Sequence, residues 1–122
     1  MKNIHLYLLL TLLASQPIIA QNRYFVNHAA TGANTGATWA EAFTDLQAAL
    51  ALAQSGDEVW VAEGTYRPTN GTDRKISFEP KSRVRLYGGF AGTETDLTQR
   101  DWQAHPTVLS GDIGAPGDST DN

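Results

Sequence analysis

Short apolar runs of strand type recur along this chain between polar, glycine-containing segments. Tyr24-Phe25-Val26, Val59-Trp60-Val61, Val84-Arg85-Leu86 and Val108-Leu109-Ser110 each read as a short strand, and the last three start 25 and 24 residues apart. Two of them run into glycine turns, Glu63-Gly64-Thr65-Tyr66 and Tyr87-Gly88-Gly89-Phe90. One stretch has a different period. Trp39, Phe43, Leu46, Leu50 and Ala53 are spaced 4, 3, 4 and 3, which predicts an amphipathic helix over 39–53. Thr38 with Glu41 three residues on reads as its capping box, and Gly56 as its C′ residue. Pro68 and Asn70-Gly71 mark a loop, Ile76 and Phe78 alternate as a second short inward pair, and 95–102 reads as one helical turn anchored by Leu97 and Trp102.

A strand period of about 22–25 residues is that of a solenoid, in which each coil has too few inward side chains to form a core alone and stacking makes the interior continuous. On this reading Val59, Val61, Val84, Leu86 and Val108 form the core of the coils. The first coil then presents an open apolar end with unpaired backbone groups. The helix carrying Trp39, Phe43, Leu46 and Leu50 is placed to cap it. The chain divides into a leader (1–20), a first strand with capping helix (21–56), the coils (57–112) and a flexible acidic tail (113–122). The repeat is still running at Asn122, which leads us to expect a fragment of a longer protein.

The leader changes where the protein is expected to act. Lys2, a short apolar stretch from Ile4 to Leu13, a break at Ser15 and Pro17, and Ala20 form the pattern of a secretory signal cleaved after Ala20. The apolar run is about half the ~20 residues a membrane-spanning helix needs, so no membrane insertion is expected once the leader is removed. The chain has 9 Lys+Arg against 13 Asp+Glu, a net charge of −4. Loss of the leader, which holds Lys2 and no acid, makes the mature part more negative. An acidic surface disfavours nucleic acid, whose binding depends on neutralising phosphates. There is no cysteine, so a secreted domain of this size has to be stable by packing, without disulfide staples.

The ordered segments Gly56-Asp57-Glu58-Val59-Trp60-Val61-Ala62-Glu63-Gly64-Thr65-Tyr66, Val84-Arg85-Leu86-Tyr87-Gly88-Gly89-Phe90-Ala91-Gly92-Thr93-Glu94, Gln99-Arg100-Asp101-Trp102 and Leu109-Ser110-Gly111-Asp112 carry a resemblance. Over about residues 23–112 the chain resembles the N-terminal segment of secreted bacterial right-handed parallel β-helix proteins of the pectin-lyase-like type. The resemblance implies a mainly β fold, a right-handed parallel β-helix beginning under a capping helix, in an exported protein of the cell surface or outer membrane. The function it suggests is that of a non-enzymatic structural or adhesive module, with polysaccharide or surface components as partners. The alternative is the leading part of a polysaccharide lyase or glycoside hydrolase whose catalytic coils lie beyond residue 122.

Candidate chemistry within the chain is sparse, and no catalytic, cofactor or metal residue is assigned. Arg83 and Arg85 are candidates for contact with an acidic sugar, and Asp57, Glu58 and Glu63 for calcium, but none has ligand-like spacing, and solvated turn charges are the simpler account. The acidic tail misses the calcium-loop pattern, and Gly88-Gly89-Phe90-Ala91-Gly92 lacks the order of a phosphate loop. His28 and His105 stand isolated in sequence. Trp60, Tyr66 and Tyr87 are candidates for a carbohydrate-stacking face, against the commoner role of such aromatics in packing. Asn70-Gly71-Thr72 is a glycosylation sequon, relevant only to secretion by a eukaryote.

Overall fold

A computed structural model describes residues 21–115, 117, 118 and 120. The leader expected at 1–20 lies outside the described residues. Among the described residues five strands, one α-helix and one 3-10 turn make up the regular structure: β1 (Arg23–Val26), α1 (Leu46–Leu52), β2 (Glu58–Ala62), β3 (Gly64–Tyr66), β4 (Arg85–Phe90), the 3-10 turn (Leu97–Gln99) and β5 (Thr107–Leu109). The strands form two small parallel sheets, one of order β1-β2-β4 and one pairing β3 with β5.

This overturns the expected β-helix solenoid. The described residues hold one short helix and a few strands of 3–6 residues, not a stack of repeating coils. The first of the two near-equal intervals does correspond to parallel pairing, of β2 with β4, and β1 pairs on the other side of β2 from outside the period, but the series then breaks. Val108, the next member by period, pairs with Thr65 of β3 rather than stacking on β4. Gly64–Tyr66, read as a turn, is itself a strand because Gly64 at φ 137° lets the chain bend directly out of β2. Two matching intervals do not make a repeat architecture, which requires at least three units burying a common core.

The central sheet is covered on both faces, as parallel sheets are. Tyr24, Val26, Val59, Val61 and Leu86 face Leu46, Ala49 and Leu50 of α1, with Ala53 and Tyr66 completing a packed cluster. Phe25, Trp60 and Tyr87 are register partners on the opposite face. There Trp60 stacks on Phe90 at 4.6 Å and 9°, and Trp39 packs against Phe25, Trp60 and Phe90. Beside this cluster Arg23, Glu58 and Arg85 cross the three strands in register. Arg23 pairs with Glu58 at 3.2 Å and lies 3.9 Å from the centre of the Trp60 ring.

The helix is about half as long as its apolar period implies. Phe43 N–H donates to the Phe25 carbonyl and Asn27 N–H to the Phe43 carbonyl, so Phe43 forms an extended bridge beside Val26. The Glu41 carbonyl accepts from both Thr35 and Gly36. Phe43 and Glu41 therefore give their backbone groups to β1 and to the loop at Thr35–Gly36, and Thr44 N–H to the Asn34 side chain, instead of to a helical i→i−4 ladder. Asp45, not Thr38, is the N-cap, its Oδ1 accepting Gln47 N–H at 2.9 Å. Thr38 caps only a turn, at Glu41 N–H. Ala53 ends the helix in extended conformation, and Gly56 (φ 94°) serves the turn before β2 instead of a helix C′ position.

Of the expected cap residues, Leu46 and Leu50 lie on α1 and are buried. Phe43 packs against the same core from its bridge, whereas Trp39 belongs to the aromatic cluster on the other face. Of the expected core residues, Val59 and Val61 are buried, Val84 and Leu86 are half-buried, and Val108 is exposed. Ile76 is exposed and lies in no strand. Ile113, assigned to a flexible tail, is buried, and the Asp112 carbonyl accepts from Arg67 Nε.

Candidate functional site

The aromatic residues expected to stack on carbohydrate do not form such a face. Trp60 is 1 % exposed, locked between Phe90 and Arg23, with its Nε1 donating to Glu58 Oε2. Tyr66 is buried, its hydroxyl donating to the Ala62 carbonyl and accepting from His28 N–H. Burial raises its pKa, and the His28 hydrogen bond opposes the shift only in part. Tyr87 is half-buried beneath the Arg100 guanidinium, 5.1 Å from its ring centre. Trp60 and Tyr87 share one packed face of the central sheet, and Tyr66 points into the core from β3, so none of the three presents a free ring face.

The charged candidates are equally committed. Asp57 is buried, with Oδ1 accepting Asn22 N–H at 2.9 Å and Oδ2 accepting Gln54 N–H at 2.8 Å, so it ties the start of β1 to the end of α1. Glu58 lies between Arg23 and Arg85. Arg85 also donates to Gln21 Oε1. Arg83 adopts a left-handed backbone (φ 63°) in the turn before β4, where its carbonyl accepts Gly56 N–H. Glu63 meets His105 at 2.7 Å, an ion pair whenever the imidazole is protonated. His105 is therefore not isolated, and His28 packs over Gly64 and edge-on to Tyr66. Among the described residues no three His, Asp or Glu side chains are grouped to hold a metal ion.

Glu94 organises the loop after β4. Its carboxylate accepts the N–H groups of Ala91, Gly92 and Thr93 at 2.7–2.9 Å, and its carbonyl accepts Trp39 Nε1. Burial pushes the carboxyl pKa up, but the backbone donors outweigh it and hold the group below its ordinary value.

The exposed aromatic is one the sequence pattern assigns to the interior. Trp102, read as an anchor of a helical turn, is 70 % exposed. Its backbone is nonetheless firmly held. Asp101 N–H donates to the Gly89 carbonyl at 2.8 Å, and Asp101 Oδ1 accepts from Gln103 and Ala104. Gly89 (φ 88°) lies so close that a Cβ there would press on the Trp102 backbone. The indole borders a cleft of about 360 Å³ lined by Gly88, Gly89, Arg100, Pro106 and Thr107. Two further hollows meet at Leu109 of β5, a small one lined by Val61, Leu86, Gly88 and Thr107, and a mixed one lined by apolar Ile76, Phe78 and Ile113 and polar Arg74, Ser77 and Ser110; together they form a trough beside β4 and β5. A third, polar groove of about 260 Å³ lies between His28, Thr44, Asp45, Thr65, Arg67 and Asn70.

The accessible features of the described residues are thus one exposed indole, the clefts beside it and carboxylates hydrogen-bonded to neighbours. The exposure of Trp102 had no signal in the sequence, since Leu97 and Trp102 fit a buried turn equally well. No family model, curated protein or solved structure matches the chain.

Proposed function

We propose that this chain is a non-enzymatic structural or adhesive module that acts outside the cell through its surface. The observation that supports this best is the open side of the molecule. The outer edge of β1 is closed, with Phe25 N–H donating to the Gly36 carbonyl and Phe43 N–H to the Phe25 carbonyl, while β4, the other edge of that sheet, pairs among the described strands with β2 alone and is tied to a loop at its Gly89 carbonyl, which accepts Asp101 N–H. Beside β4 lies the trough, which Ile76 and Leu109 line, each more than 40 % exposed, and the neighbouring β5 residue Val108 is exposed to a similar extent. An apolar surface next to an unpaired strand favours strand addition. Because the β1 edge is closed, copies cannot add head to tail through this sheet. Two copies pairing β4 edges about a two-fold axis bury both troughs and leave no open edge, so a second copy is the occupant we favour. The weak calcium candidates Asp57, Glu58 and Glu63 each bind a neighbouring group. The leader pattern at 1–20 supports secretion.

Sedimentation velocity on the full chain tests this. The wild type is expected to form a dimer, and the double substitution Val108→Lys with Leu109→Lys to be monomeric at an unchanged melting temperature. A wild type that stays monomeric at every concentration while melting cooperatively overturns the proposed contact.

A further inference from the structure

We propose that Trp102 is the stacking platform of a binding site for an uncharged polysaccharide. The inference rests on the module reading and names what the surface holds. Leaving a large aromatic side chain mostly in water forgoes roughly 1.5–3 kcal/mol of burial. Here the ring is exposed although its backbone is fixed by the Asp101 turn and by close contact with Gly89. That combination, a rigid base and a free ring, places the indole at low entropic cost to a ligand.

The cleft beside the ring has the dimensions and chemistry of a sugar subsite. Its volume of about 360 Å³ exceeds that of one hexose ring. Gly88 and Gly89 bring backbone, without side chains, to its wall, so a flat ring can approach closely. An indole offers a π face to the C–H side of a pyranose, and the Arg100 guanidinium at the cleft supplies hydroxyl-directed donors. The residues next to Trp102 in sequence are polar: Thr98, Gln99, Arg100, Asp101 and Gln103 are all exposed, and Arg100 lines the cleft itself. The net charge of −4 opposes a polyanion, which leaves a neutral glycan as the fitting class.

Affinity electrophoresis of the full chain in gels containing galactomannan, xylan or β-1,3-glucan tests the site, with Trp102→Ala and Trp102→Tyr run in parallel. At least one polysaccharide is expected to retard the wild type. Trp102→Ala is expected to lose about tenfold in affinity and Trp102→Tyr to keep most of it, both at an unchanged melting temperature. The same polysaccharide should shift the indole emission of the wild type to the blue but not that of Trp102→Ala. The absence of retardation for the wild type in all three gels, or equal retardation of Trp102→Ala, overturns the proposal. If Trp102→Ala instead changes only the sedimentation coefficient, the indole is a protein contact; the glycan site fails and the module reading stands.

Discussion

Single residues in this molecule act chiefly by satisfying backbone groups where strands meet loops. Asp57 is the clearest case, since its buried carboxylate accepts two amides from different segments. Asp57→Ala orphans both and is expected to cost about 2–3 kcal/mol, seen as a fall of about 10–20 °C in the melting temperature by calorimetry. Gly36 is constrained differently: its φ is 76°, and a Cβ would overlap the Phe43 ring. Gly36→Ala therefore combines left-handed strain with displacement of a packed aromatic, and is expected to destabilise by about 2–4 kcal/mol in urea titrations. Glu94 sets a pH dependence. Its folded pKa lies below the ordinary value, so its contribution is fully present above the unfolded pKa, near 4.5, and is lost as pH falls through the folded value. Wild type and Glu94→Gln should thus differ most at neutral pH and converge in acid, as melting temperatures measured from pH 7 to pH 3 would show.

At the scale of elements, competition for backbone donors decides what forms. The apolar period over 39–53 is real, yet only Leu46–Leu52 is helical, because Phe43 and Glu41 give their backbone groups to the β1 edge and its loop. The short helix is then held at its C-terminal end by Lys81, whose Nζ donates to the Ala51 and Ala53 carbonyls at 2.8 and 3.0 Å. Lys81→Met should lower stability by about 0.5–1 kcal/mol, with a matching shift of the denaturation midpoint and no change in its slope. The strands were legible because β-branched and aromatic runs bounded by glycine have few alternatives. Their partners were not: Val108 carries the same signal as Val84, but the segment it belongs to pairs with β3. Strand pairing depends on where intervening loops direct the chain, and period alone does not encode that.

The molecule as a whole is asymmetric: one sheet edge is closed by a loop, the other is open beside a trough. Self-association through the open side is the expected behaviour at this scale, and the Val108→Lys with Leu109→Lys variant separates it from loss of folding. Composition alone established the acidic balance and the absence of cysteine, and local pattern established the positions of β1, β2 and β5, nearly that of β4, and an apolar helix segment. Those properties are local, so neighbouring residues suffice to reveal them. Which aromatic is exposed, which carboxylates are already bonded, and whether evenly spaced strands stack into one array depend on contacts between segments tens of residues apart. Trp60 and Trp102 are both tryptophans in strand-and-turn sequence, yet one is sealed beneath Phe90 and the other stands in water. Burial is a property of the assembled faces, and only the tertiary structure brings those faces together.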